Sequence, residues 1–389
     1  MFKANAVAKF SVAFLGSVAF SSGAFVATAA ADVGLLVKDK AALVSEVSVL
    51  RNWGLDNSEY PSHISARKAW KITRGSQQIN VCVVDTGIDA THPDLIDNIC
   101  KKAGTDEYGF DFVTGKKNPG DTHGHGSHVA GIIGATSRSG GGASGVAPNV
   151  CISAARYYSD TATGAQNLAN TVKAINYCID RGAQIINYSG GGAEFSSAEM
   201  KAIQRAESKG ILFVAAAGNE YQNTDDSGSA YYPAAYGLSN IITVAATNNR
   251  NVLLPSSNWG KKHVHVAAPG ENIYSTLPKG RYGYLTGTSQ ATAYVSGLAA
   301  LILTENPKLK PAEVREIIMG SADKLENLAG KVASGGRINA YSALRMTLAK
   351  RDGAGSTQLA KLDAEEAKTE TTVATSAPAK PLQRGVAFH

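Results

Sequence analysis

Short apolar runs recur along the middle of this chain, each followed by a stretch with helical periodicity. Candidate strands are Ile79 to Val84, Ile152 to Arg156, Ile185 to Tyr188, Ile211 to Ala216, Ile241 to Ala245 and Val264 to Ala267. Candidate helices lie near 126–136, 167–181, 196–209, 289–305, 311–319 and 339–348. Apolar runs this short and this rich in β-branched residues read as strands buried on both faces. Strands joined through helices must run parallel, because a parallel pair needs a long crossover. The expected fold is therefore α/β, a mostly parallel β-sheet with helices on both faces. A chain of 389 residues with 44% apolar and 18% charged side chains can build one large core of this kind plus appendages.

Four stretches at the ends of these elements carry chemistry. VVDTGID places Asp85 where an apolar strand breaks into a turn, at the carboxyl edge of the sheet where open α/β folds carry their sites. HGHGSHVAG holds three histidines, His123, His125 and His128, in six residues. VAAAGNE carries Asn219 just after an apolar run, and GTSQATAYVSG opens a buried-helix pattern with Ser289 in its first turn. A serine hydroxyl is a weak nucleophile until a base takes its proton, and that base needs a partner to fix its tautomer. Histidine, with an ordinary pKa near ~6.5, suits the first task and aspartate the second. The free N–H groups and dipole of a helix amino terminus favour an oxyanion forming beside Ser289. For Asn219 a turn role after a strand is the competing reading. Zinc binding by the histidine cluster lacks an HExxH or Cys/His ligand spacing.

In the order Asp, His, Asn, Ser, these motifs resemble those of the subtilisin-like serine proteases, the subtilases of peptidase family S8. Similarity covers roughly residues 53–346, and GGRINAYSAL matches the family's closing motif. The resemblance implies a three-layer subtilisin-like fold and serine endopeptidase activity through an acyl-enzyme. Asp85, His125 and Ser289 would be the triad, and the Asn219 amide with the Ser289 N–H the oxyanion donors. His128 then falls to structural service. The chain departs from the family at Gln290 and Ala293, where Met and Pro are usual; neither change removes a proton-transfer group.

Substrate would pair along IINYSGGG, with Ser189, Gly190 and Gly191 as backbone partners, although a flexible glycine turn fits the same residues. Similarity places Ala216, Ala217 and Gly218 along the first specificity pocket and Glu220 near its mouth. Gly190, where many relatives have Leu, widens that pocket in this reading, and Tyr231 narrows its base. The expectation is broad specificity, with large apolar or aromatic side chains preferred and some tolerance of Lys. No cofactor is implied for catalysis. A structural calcium is possible through Asp94 of HPDL, yet the loop TSRSGGGASG lacks the family's Asn-rich ligand run.

Outside the catalytic region, residues 1–31 read as a secretory signal: Lys3 and Lys9, the apolar FSVAFLGSVAF, then small residues up to Ala31. A membrane anchor is the alternative, since Phe10 to Ala31 carries no charge. Residues 32–52 form a short pro-segment or linker, and 347–389 a low-complexity tail expected to be disordered. The net charge of +6 comes from 38 basic and 32 acidic residues dispersed along the chain, unlike a nucleic-acid footprint. The expected partners are polypeptide substrates, with no nucleic acid and no stable membrane association after cleavage; the expected state is a secreted monomer. Four cysteines allow three full pairings. The family layout puts Cys100 and Cys151 on neighbouring strands and favours that bond, leaving Cys82 and Cys178 as buried thiols. The competing class is a secreted pseudoenzyme that keeps the scaffold to hold peptides, and an esterase would share the same nucleophile.

Overall fold

A computed structural model describes residues 51–56, 61–138, 142–351, 353 and 355–364. The signal and nearly all of the pro-segment expected before Arg51 lie outside the described residues, as does the tail beyond residue 364. Among the described residues no helix is long and apolar enough to cross a membrane.

A ten-stranded sheet organises the molecule. Its central strands are β1 (Asn80–Asp85), β4 (Cys151–Arg156), β5 (Ile185–Tyr188), β6 (Leu212–Ala216), β7 (Ile241–Thr247) and β8 (Val266–Pro269). They run parallel in the order β8-β7-β6-β5-β1-β4. Short strands complete the edges: β2 (Gly109–Asp111) and β3 (Lys116–Lys117) beyond β4, β12 (Gly336–Arg337) and β11 (Asp323–Lys324) beyond β8. A separate hairpin joins β9 (Ile273–Leu277) to β10 (Arg281–Leu285).

Period-two alternation puts both sides of these strands in apolar surroundings. On β1, Val81 and Val83 face one core and Cys82 and Val84 the other. The first core is covered by α2 (His125–Gly134), α5 (Thr288–Glu305), α6 (Pro311–Gly320) and α7 (Ala340–Ala349), with the single turn α1 (Ala66–Ala69) beside them. The second lies under α3 (Gly164–Asp180) and α4 (Ser197–Ser208). Every residue of α5 from Thr288 to Leu303 is buried, as expected of a helix apolar on all sides that runs through the core.

The connection from β1 leads through α2 toward β4, whereas the connection from β5 leads through α4 to β6 on the opposite side. Neighbouring strands whose crossovers diverge leave a crevice at their carboxyl ends. Asp85 ends β1 and Ser189 follows β5, so the fold delivers both to that crevice.

Two expectations need correction. Cys82 and Cys178 are joined in a disulfide rather than left as thiols. Alternation along β1 directs Cys82 into the layer under α3, and Cys178 lies on the buried face of that helix. Cys100 and Cys151 are also bonded. The start of the tail is helical, not disordered: α7 reaches Ala349, and residues 355–364 are helical with Leu362 buried. The Arg345–Asp363 pair, 2.7 Å, ties this helix back to α7.

Candidate active site

Strand β1 and helix α2 bring Asp85 and His125 together. Asp85 is buried, and its Oδ1 accepts from the Thr86 N–H at 2.8 Å and stands 2.7 Å from His125 Nδ1. That contact makes Nδ1 the protonated nitrogen of the neutral ring and leaves Nε2 able to accept a proton. Burial alone would lower the His125 pKa. The charge of Asp85, its hydrogen bond and the more distant charge of Asp121 outweigh burial, and the net shift is upward.

Asp121 went unnoticed in the sequence. Its buried carboxylate binds the whole start of α2: Oδ1 accepts from the N–H groups of His123 and Gly124 at 2.9 and 2.8 Å and from Thr86 Oγ1 at 3.1 Å. Oδ2 takes the Ser127 N–H and hydroxyl at 2.9 and 2.7 Å. Thr86 Oγ1 in turn accepts the Gly126 N–H at 2.9 Å. One carboxylate thus satisfies orphan donors of the helix that carries His125 and locks that helix to the residue after Asp85. The available signal was an aspartate four residues before a helix-opening histidine.

His128 points away from this pair. It is fully buried against Gly283 O, with Nε2 at 3.2 Å, and burial pushes its pKa down to about 3, so it is neutral and structural. His123 is exposed at the rim beside Tyr158.

The opposite wall carries Ser289 and Asn219. Ser289 lies in the first turn of α5, entered through Gly287 at φ 155°. Its N–H has no acceptor among the described residues, as expected of a first-turn amide. Its hydroxyl donates to Ser189 O at 3.2 Å. Asn219 Oδ1 accepts from the Thr288 N–H at 3.0 Å and from Thr288 Oγ1 at 3.2 Å. Because the N–H can only donate, the carbonyl end of the amide is held there and Nδ2 is left as a donor. Buried Asn258 supports the loop from behind. Its Oδ1 accepts from the N–H groups of Glu220 and Gln222 at 3.1 and 2.9 Å, and its Nδ2 donates to Ala217 O at 3.0 Å.

The proposed substrate-binding residues line the same crevice. Ser189, Gly190 and Gly191 continue from β5 and are partly exposed, while Ala216, Ala217 and Gly218 continue from β6. A polar chain runs behind Ser189: Ser296 Oγ donates to Asn187 Oδ1 at 2.7 Å, and Asn187 Nδ2 donates to Ser189 Oγ at 3.0 Å. Gln290 is buried with its Nε2 unpartnered, and Ala293 is buried within α5.

The match to the Subtilase family model runs over residues 76–342, which includes all of these groups. The chain belongs to the subtilase family. This subtilase is 38% identical over 284 residues to a thermophilic serine proteinase of Bacillus sp. (strain AK1), covering 73% of this chain and 66% of the relative. It is 37% identical over 285 residues to thermitase of Thermoactinomyces vulgaris, covering 73% of this chain and 95% of that protein. It is also 34% identical over 301 residues to subtilisin-like protease 2 of Plasmodium falciparum, covering 74% of this chain but 22% of the relative. Membership makes this subtilase a serine endopeptidase by class.

The Asp94 carboxylate is engaged in the fold. Its Oδ2 accepts from the Ala143 N–H and the Tyr282 hydroxyl, both at 2.8 Å, so a cation there would have to displace two donors. Among the described residues no three His, Cys, Asp or Glu side chains cluster as ligands. Asp94 ties the segment after β1 to the loop after α2 and to Tyr282 of the β9–β10 hairpin.

Proposed function

We propose that this subtilase is a secreted endopeptidase in which Asp85, His125 and Ser289 form the charge relay and Asn219 Nδ2 with the Ser289 N–H forms the oxyanion hole. The observation that carries the reading is the fixed amide of Asn219: its oxygen end is held by Thr288, and its donor end is left open beside a serine on a helix amino terminus. His125 Nε2, the nitrogen not bound to Asp85, takes the Ser289 proton as Oγ attacks the scissile carbonyl. The hydroxyl must first leave Ser189 O for His125. The carbonyl π electrons move onto oxygen, where the two donors meet the negative charge. The imidazolium then returns the proton to the leaving amine, and water repeats the sequence on the acyl-enzyme.

Glycines at 190 and 191 carry no backbone hydrogen bond among the described residues, which supports pairing of an extended peptide along this edge. Main-chain pairing is indifferent to most side chains, hence the broad specificity expected away from the scissile residue. The reading takes the leader as a cleaved signal, a monomer as the working form, and no metal for the chemistry. Casein digestion tests it. Wild type should digest casein and label with a fluorophosphonate, and Ser289→Ala should lose the label and about 10⁵–10⁶ of the turnover. Equal digestion by both proteins would refute the assignment, and labelled enzyme that cleaves esters but not casein would make it an esterase.

A further inference from the structure

The acyl group of a substrate, held between Ser289 Oγ and the Asn219 amide, must send its side chain into the gap between the segments following β5 and β6. Ser189 O touches Ser289 from one side of that gap, and Asn219 stands on the other. Three tyrosines occupy the space that glycines leave there. A side chain on Gly190 would overlap the Tyr157 hydroxyl and stand 3.0 Å from the Tyr188 ring. A side chain on Gly191 would overlap Tyr231 at Cε1, and one on Gly218 would stand 2.9 Å from Cε2 of the same ring. Opposite edges of Tyr231 therefore pack on the two walls, and the ring spans the gap. The room that Gly190 was expected to open is filled by Tyr157 and Tyr188, whose rings lie 5.4 Å apart in the core.

Tyr231 is not built as a swinging gate. Its own carbonyl accepts the Ala235 N–H at 2.9 Å. Its neighbour Tyr232 exchanges two backbone hydrogen bonds with Gly192, at 2.7 and 3.0 Å. Tyr231 as a whole is only 8% exposed. Glu220, bound to Asn258 Nδ2 at 2.6 Å, lies beside Gly218 on the same wall and places a carboxyl next to the opening.

We propose that Tyr231 closes the pocket for the residue preceding the scissile bond, so that this subtilase cleaves after small uncharged side chains such as Ala or Ser and excludes aromatic and acidic ones. The inference rests on the proteolytic reading above and replaces the expectation of large apolar residues at this position. A flat ring across the gap leaves a shallow depression that a methyl or hydroxymethyl group fills, whereas a phenyl ring meets Tyr231 itself. An acidic side chain meets Glu220.

The test begins by titrating active sites with a fluorophosphonate, then measures kcat/KM on peptide p-nitroanilides that differ only at the residue before the bond: Ala, Phe and Glu. Wild type should favour Ala over Phe by about 30-fold or more, within the range that pocket size controls, with Glu slowest. In Tyr231→Gly the Phe-to-Ala ratio should rise by about 100-fold. Phe cleaved as fast as Ala by wild type would overturn the proposal, a result that needs no variant to fold. So would a titratable Tyr231→Gly with an unmoved ratio. Wild type that takes no label would instead bring down the proteolytic reading, and this inference with it.

Discussion

The two walls of the crevice are held in place by opposite kinds of chemistry. On the His125 side the scaffold is charged and saturated: buried Asp121 accepts from five donors, and Asp85 from two groups. On the Ser289 side the groups that orient Asn219 are neutral, Thr288 in front and Asn258 behind the loop, and two donors are left open. The difference follows the charge each wall must receive. In the proposed mechanism an imidazolium forms on one side, and negative charge is placed there in advance. In the same mechanism an oxyanion forms on the other, and donors wait there unpaired, their cost offset elsewhere in the fold. Glu220 is the exception on that second wall. Burial raises its pKa, while hydrogen bonds from the Asn258 side chain and from the Asn219 backbone oppose that rise and hold the carboxyl.

The largest effect that would sharpen this contrast is expected from Asn219→Ala. Removing one of two waiting donors should lower kcat by about 10²–10³ with little change in KM, the loss known for the equivalent amide of subtilisin itself. Steady-state kinetics on an anilide substrate decides it. A fall confined to KM would mean that the amide binds ground-state substrate and that this wall is not an oxyanion site.

Asp121→Asn probes the other wall, with a smaller effect of about 10-fold in kcat and a diagnostic pH signature. His125 must be neutral to act as base, and its pKa is raised, so activity should be lost as pH falls through a value above the ordinary ~6.5 of histidine. Asparagine removes one of the negative charges that raise that pKa, so the acid limb of kcat/KM should move to lower pH. A merely structural Asp121 would lower the activity without displacing the limb. A limb that stays in place while thermal stability drops would break the electrostatic half of the comparison.

The contrast between the walls also explains what could be read from the sequence. The six central strands and six longer helices were visible because long-range burial imposes its period on each segment; β1, expected over Ile79 to Val84, is found at Asn80–Asp85. Edge strands of two or three residues, such as β3 and β11, are too short to carry a period. The groups proposed to react sit in motifs and were legible. The groups that hold them were not, because Asp121, Asn258 and Thr288 acquire their partners only when loops distant in sequence converge. The Cys82–Cys178 bond was missed for the same reason: alternation assigns Cys82 a face of the sheet but not the helical turn that covers it. Tyr231 is legible as a residue that narrows the pocket, but only the fold reveals that one ring reaches both Gly191 and Gly218.

The smallest effect concerns how far the neutral wall depends on a single hydroxyl. Thr288 holds Asn219 Oδ1 twice, through its N–H and its Oγ1. Thr288→Val deletes the second bond, keeps the first and preserves the branched shape. A neutral hydrogen bond is worth about 1 kcal/mol net, so kcat should fall by about 2- to 5-fold with the pH profile unmoved. The backbone donor alone still demands an acceptor and therefore still points Nδ2 at the reacting centre. A loss as deep as that of Asn219→Ala would mean that the hydroxyl, not the helix backbone, sets the amide's direction. The oxyanion wall would then be held by side chains, like the wall that carries His125, and the distinction between a charged scaffold and a neutral one would reduce to a difference in residue type.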